Sequence, residues 1–173
     1  MPDDLELVEL GRLSLGDWLD LTERDPAAFG PSTASLIYRD KDRHLGLRSP
    51  DGRLAAVLGM TVAGIEIDGH EPFGVVGMGS LIVRRESRGR DLSGVLSRAA
   101  RSRASQLGHD RAMLFCEPEL VELHRRRGYA LIDARVTVDQ PGGRIEMPIP
   151  AMWRPIRPCE WPSGHVDVVG LPF

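Results

Sequence analysis

Residues 83–96 read VRRESRGRDLSGVL, and this stretch decides the fold. The apolar run Leu81-Ile82-Val83 before it has the character of a buried strand, and a long amphipathic helix opens at Asp91 or Leu92. Between them lies a tight basic turn, Arg88-Gly89-Arg90. A strand that feeds a helix through a glycine-containing turn leaves several backbone N–H groups unpaired at the positive end of the helix dipole, which makes an anion cradle. Arginines beside such a cradle suit phosphate, because a guanidinium forks onto its oxygens in pairs. The same residues also read as a solvated basic turn in front of a surface helix.

Val83, Arg88, Gly89, Leu92, Gly94 and Leu96 resemble the central motif of the GNAT superfamily of acyl-CoA N-acyltransferases, V-x-x-x-x-R-G-x-G-L-x-G-x-L. Two positions depart from it: Asp91 stands where Gly or Ala is usual, and Glu86 where Gln or Arg is common. A second stretch, Leu123-His124-Arg125-Arg126-Arg127-Gly128-Tyr129, is similar to the L-Y-x-x-x-G-F closure of a later helix in that family, with His124 in the place of Tyr. The resemblance covers roughly residues 40 to 150. It implies an α/β (α+β) domain with a mixed, mostly antiparallel twisted sheet flanked by helices. It also implies acetyl-CoA or another acyl-CoA as co-substrate and no metal. Met147-Pro148-Ile149 with Cys159-Glu160-Trp161, Gly164 and Val166 further resembles the C-terminal end of the aminoglycoside 2'-N-acetyltransferases, where a similar tail lines the substrate site. His165 replaces an acid of that tail and Asp167 its last Trp.

Length and composition bound the rest. The chain has 173 residues, 42% hydrophobic and 27% charged, which suits one soluble globular domain able to bury a core without disulfides or metal. The formal charge of −3 argues against a general nucleic-acid binder. Charge is uneven, however. The first thirty residues carry eight acids against Arg12 and Arg24, while residues 84 to 127 carry eleven arginines against six acids. A basic middle fits a polyanionic cofactor, and an acidic flank could attract a cationic amine. Cys116 and Cys159 have neither metal nor disulfide spacing. No run of eighteen apolar residues exists, and the acidic start MPDDLELVEL does not read as a signal peptide. These features point to a cytoplasmic protein whose partner is a small-molecule amine, with neither nucleic acid nor membrane, and which could form a homodimer.

One domain is expected over residues 1–173, with a core at about 40–150 and an irregular C-terminal tail at 151–173. Ser14 is a candidate N-cap for a short helix through Trp18 and Leu21 that ends near Asp25-Pro26. Phe29-Gly30-Pro31 breaks the chain, and residues 35–38 are ambiguous between helix and strand. Strands are expected at 44–48, 54–67 and 73–83, joined by turns at Ser49-Pro50-Asp51-Gly52 and Asp68-Gly69. The helix from 92 to 107 carries Leu92, Val95, Leu96, Ala99, Ala100 and Leu107 on one stripe, and Gly108 stops it. Residues 112–116 form a short strand in parallel with 73–83. A helix follows Pro118 and ends at Gly128. Leu131, Val136, Val138, Ile145 and Ile149 belong to later strands around a turn at 141–143.

Acyl transfer to an amine needs a proton acceptor for the amine, a donor to the thioester oxygen, and a fate for the leaving thiolate. The resemblance implies that the backbone N–H of Leu81 or Ile82 meets the thioester oxygen. It also implies that the strand edge at Leu81 and Val83 takes pantetheine, and that Arg88, Gly89, Arg90, Asp91, Leu92, Ser93 and Gly94 hold the pyrophosphate. Asp91 is expected to cap the helix with its carboxylate turned away. His124 is the candidate general acid, with a half-buried helix histidine as the alternative. Cys116 reads as a small buried hydrophobe rather than a nucleophile. Gly77-Met78-Gly79-Ser80 stands where some GNAT enzymes carry a Glu base, so Gly79 is expected to open space for substrate. Glu117, Trp161 and His165 are further substrate-side candidates, and Glu117 and His165 could replace the base. The leading expectation is acetyl transfer to a primary amine of an amino-sugar or antibiotic-like molecule. The alternatives are a protein N-acetyltransferase or a degenerate domain that binds acyl-CoA or a metabolite without turnover.

Overall fold

A computed structural model describes residues 4–23 and 35–173. Three consecutive antiparallel strands build its centre: β2 (Arg43–Arg48), β3 (Leu54–Ile67) and β4 (Phe73–Val83). Strand β3 has the composition of a wholly buried strand at its start and of a half-buried one at its end. Leu54 to Thr61 are buried continuously, after which exposure alternates residue by residue. Helix α2 (Leu92–Ala104) then crosses one sheet face and returns the chain to β5 (Arg111–Phe115), parallel to β4. Leu92, Leu96, Ala100 and Ala104 of α2 are almost wholly buried against Leu45, Leu47, Ala56, Leu58 and Met60. The helix turns 3-10 at Ser105–Leu107, and Gly108 ends it at φ 79°.

The opposite face carries α1 (Leu15–Leu21). Ser14 caps it through a reciprocal box with Asp17, as expected, and Leu21 and Trp18 pack against Val57 and Ile82. The expected end near Asp25-Pro26 and the break at Phe29-Gly30-Pro31 lie outside the described residues. Residues 36–40 adopt neither helix nor strand. Strand β1 (Glu6–Leu10), unforeseen from the acidic N-terminus, pairs antiparallel with β2. After β5, α3 (Val121–Arg126) leads to β6 (Ala130–Leu131), β7 (Val136–Gln140) and β8 (Gly143–Glu146). Ile149 is buried but belongs to no strand.

The expected irregular tail is instead structural. Its strands β9 (Ala151–Pro155) and β10 (Val166–Val168) give the main sheet path the order β6-β9-β5-β4-β3-β10-β7-β8. Prolines suggested irregularity, yet Pro150 precedes β9 and Pro155 is its last residue, so neither removes a central ladder bond. Strand β10 runs antiparallel to β3 and parallel to β7. No helix among the described residues is long and apolar enough to cross a membrane.

Arg84, directly after β4, ties α1 to the sheet. Its side chain is 5% exposed, donates to Leu54 O at 3.0 and 3.1 Å, and forms an ion pair with Asp20 on α1. Hydrogen bonds from Arg84 and then Arg53 hold the Asp20 carboxyl well below the usual carboxylate range. A carboxyl depressed in the native state stabilises fully above its unfolded pKa of about 3.9, and that contribution is lost as pH falls through the native value. Urea denaturation should therefore show stability falling below about pH 4, with a flatter profile in Asp20→Asn. Arg84→Ala, which leaves Leu54 O without its donor, should cost about 2 kcal/mol at neutral pH.

Candidate active site

Strand β4 pairs with β5 only from Val76↔Ala112 to Met78↔Leu114. Beyond Met78 it stays with β3, and β5 ends at Phe115, so a gap opens between the two parallel strands. The partners Val57↔Ile82 and Gly59↔Gly79 place both Ser80 and Leu81 opposite Leu58, a β-bulge with Ser80 at φ 53°. Such a conformation costs a non-glycine residue of the order of 1 kcal/mol and marks a strand that has been re-aimed. Arg84 N–H donates to Ala55 O on β3 at 2.9 Å. By alternation, Leu81 and Val83 turn their N–H and C=O groups away from β3, toward the gap. The turn after α3 closes the other side. Tyr129 Oη donates to Met78 Sδ at 3.2 Å, and the His124 ring meets Tyr129 edge-on at 5.8 Å.

The basic turn is where an anion cradle is expected. After a 3-10 turn at Arg85–Ser87 the chain passes Gly89 at φ 82° and Asp91 at φ 53° before α2 begins. The backbone N–H groups of residues 89 to 93 donate to no acceptor among the described residues. Nothing stands within 4 Å of a Cβ built on Gly89, so the backbone there is open to an anion. Of the two expected arginines, Arg88 turns back toward Val83 O at 3.4 Å, and Arg90 is already paired with Asp4. Sequence reasoning passed over Arg127, within the run Arg125-Arg126-Arg127. It donates to Ser93 Oγ at 2.7 Å and Ser97 Oγ at 3.4 Å, beside the first turn of α2. Burial lowers its pKa, and Asp91 opposes that shift.

Three expectations are corrected here. Asp91 occupies the N-cap position with a left-handed backbone, and its side chain makes no cap hydrogen bond. The carboxylate instead folds over Gly94, leaving no room for a Cβ there, and lies 3.5 Å from Arg98. His124 is buried, and burial first, then the Arg127 charge, push its pKa down to about 4. It is thus neutral at physiological pH and holds no imidazolium proton for a leaving group. Its Nδ1 is a buried atom without a partner, as is Oε1 of Glu117 just beyond β5. The last correction concerns Gly79, whose missing side chain does not open free space. A Cβ there would meet Lys41 Cε at 3.1 Å and the Phe173 backbone at 3.1 and 3.2 Å.

The remaining substrate candidates separate. Glu117 follows β5 and stays near the gap. Trp161 packs against Trp153 and Phe73, with ring centroids at 5.3 and 5.7 Å. Phe73 begins β4 six residues before Gly79, about 20 Å along the strand. His165 contacts Asp167 at 3.2 Å, where β10 joins β3 at Ile67, about 25 Å from Gly59 along that strand. Neither lines the gap. The tail reaches the site through Phe173, whose ring covers Gly77, and through the Leu171 and Pro172 carbonyls, which accept from Arg39. Cys116 is a buried hydrophobe against Met152 Sδ at 3.8 Å, and burial raises its thiol to about 11. Beyond the bulge lies a cavity of about 430 Å³ whose walls include Trp18, Tyr38, Lys41, His44 and Ser80.

No protein-family model matches this sequence, and no curated protein matches it. Solved structures do share its fold. A GNAT family N-acetyltransferase (YhbS) from Escherichia coli, solved in complex with CoA, superposes with a TM-score of 0.63 at 16% identity over 96% of this chain and 92% of that one. A GCN5-related N-acetyltransferase from Kribbella flavida gives 0.55 at 17% identity, over 90% and 99%. N-acetylglutamate synthase from Neisseria gonorrhoeae, complexed with coenzyme A and N-acetyl-glutamate, gives 0.58 at 12% identity, over 88% of this chain and 36% of that one. The chain therefore has the fold of the GNAT N-acetyltransferases.

Asp91→Gly removes a left-handed Asp and an anion beside the cradle, and it forfeits no cap bond. Its melting temperature should hold or rise, and its affinity for coenzyme A by calorimetry should improve about fivefold, the effect of roughly 1 kcal/mol of removed repulsion. Gly89→Val forces a β-branched residue into positive φ and covers the open backbone. It should weaken coenzyme A binding more than about tenfold, beyond any loss of stability.

Proposed function

We propose that the protein is an acyl-CoA-dependent N-acyltransferase that acetylates a primary amine of a small molecule. The parting of β4 from β5 at the Ser80 bulge, with the anion cradle at its mouth, carries this reading. Acyl-CoA suits the residues present. The free N–H groups of residues 89 to 93, together with Arg88 and Arg127, would hold the pyrophosphate. The edge of Leu81 and Val83 would take the amide-bearing pantetheine arm. Bound there, acyl-CoA supplies the thioester.

The chain's own contribution is placement. The backbone N–H of Leu81, on the gap side of β4, is the candidate to meet the acyl oxygen, whereas alternation turns the Ile82 N–H toward β3; a fixed donor of that kind needs no reorganisation. Holding two reactants in register can supply much of the rate. The cavity of about 430 Å³ beyond the bulge has the size of a small-molecule site and is the candidate acceptor pocket. An amino-sugar or antibiotic-like amine is the acceptor class we propose, and the small-molecule size of that cavity supports it.

Calorimetry with coenzyme A and acetyl-CoA, followed by a thiol-release assay across amino sugars, polyamines, arylalkylamines and peptides, tests the reading. Expected are binding of both coenzymes and thiol release with a small amine. Absence of binding would refute it. Turnover of peptides alone would move the acceptor to protein, and binding without turnover on any amine would leave a non-catalytic domain.

A further inference from the structure

Lys41 is the sole lysine of the sequence and is only 6% exposed. Two glycines make room for it. Gly59 on β3 and Gly79 on β4 face each other in register, and the lysine stem lies across the pair. A Cβ on Gly59 would stand 2.6 Å from Lys41 Cγ, and one on Gly79 3.1 Å from Cε. The trough thus holds the stem flat against the strands, beside Ser80 and the acceptor cavity whose wall both residues share. An ammonium has three donors, yet among the described residues Nζ makes one hydrogen bond, to Arg39 O at 3.2 Å.

Resting on the acyl-transfer reading above, we infer that Lys41 is the general base that takes the proton from the acceptor amine. Its surroundings keep it ready for that work. Burial, and then the Arg39 charge, push its pKa down to about 8, against the opposing pull of Asp40 and Asp42. Both carboxylates are engaged elsewhere, Asp40 with Arg12 at 3.1 Å and Asp42 with Thr61 Oγ at 2.6 Å. The Arg39 guanidinium is held by the carbonyls of Leu171 and Val62. From β2, His44 faces the same cavity. Its Nδ1 meets Gly11 O at 2.6 Å, and burial lowers its pKa, so it packs there as a neutral ring. Gly79 and Ser80 of β4 bring no ionisable side chain, and Phe173 lays its backbone C and O against Gly79, so the α-carboxyl group its backbone carries is the remaining ionisable group on that side.

In the step, neutral Nζ accepts a proton from the substrate ammonium and becomes an ammonium. The freed nitrogen lone pair forms the C–N bond at the thioester carbonyl, and the C–S bond breaks with its electron pair on sulfur. The second proton of that nitrogen ends on the thiolate, and Lys41 returns the first to water. Amide and free coenzyme A thiol are the products. The wedged stem suits a fixed proton acceptor rather than a nucleophile that must travel to the carbonyl.

Carbon-13 labelling at lysine Cε gives a single side-chain resonance that reports this group without any acceptor. It should titrate near 8 with and without coenzyme A; titration near the ordinary lysine value of about 10.4 would overturn the inference. With a panel amine whose own pKa exceeds about 9, wild-type kcat/KM should rise tenfold per pH unit and break near 8. Lys41→Met keeps the stem and Lys41→Arg keeps the charge. Both should lower kcat about 100-fold or more and lose that break, while coenzyme A affinity and melting temperature hold. Wild-type kcat in Lys41→Met, or an acetyl group found on Lys41 by peptide mapping after turnover, would overturn it. Loss of coenzyme A binding in the wild type would instead refute the acyl-transfer reading itself, whatever Lys41 titrates at.

Discussion

Past Met78, strand β4 can follow only one of its two neighbours. It follows β3, through the bulge at Ser80, and leaves its other edge unpaired as far as Val83. Unpaired backbone groups within a sheet are costly unless something else satisfies them. That constraint organises the surroundings. The basic turn of residues 88 to 94 sits at the mouth of the gap, α3 and Tyr129 wall it, and a cavity lies beyond the bulge. The local strain at Ser80 is small beside what the neighbouring core supplies, since α2 buries Leu92, Leu96, Ala100 and Ala104 directly behind the parting strands.

Electrostatics around the gap follow burial more than formal charge. Arg84, Lys41 and His124 are each withdrawn from water, with different consequences. Arg84 finds both the Asp20 carboxylate and the Leu54 carbonyl. His124 finds no counter-charge, has Arg127 for a neighbour, and loses its proton. Lys41 lies between the two, with the Asp40 and Asp42 carboxylates already committed to other partners. Basic residues of the sequence therefore become, in space, one cation paired to α1 in Arg84, one cation beside the first turn of α2 in Arg127 and one neutral imidazole in His124.

The central hairpins were legible because their signals are local. Alternation and apolar runs bounded by Ser49-Pro50-Asp51-Gly52 and Asp68-Gly69 place β3 at Leu54–Ile67 and β4 at Phe73–Val83, as they are in the structure. The strand–turn–helix order from β4 through Gly89 to α2 was legible for the same reason. Strands β9 and β10 were not, because their partners lie far away in sequence. Val166 pairs with Ile67 and Val136, and nothing in its neighbourhood announces either. Trp161 and His165 were misplaced by the same blindness to long-range pairing. Lys41 escaped notice because its setting depends on two glycines that meet only across a β-ladder. Asp91 was placed correctly along the chain and misread in φ, a quantity that composition does not report.

The position of β10 has a consequence for how the molecule is made. A strand formed by residues 166 to 168 joins β3 to β7, so the curled half of the sheet has no continuous ladder until those residues leave the ribosome. Until then β3 presents Ile65 and Ile67 on an uncovered edge, which is a template for another chain. Contacts spanning about a hundred residues also slow closure through the entropy of the loop. Biogenesis of this domain is thus a late, concerted event, and cells that synthesise it rapidly at high temperature should depend on chaperones that shield open strands.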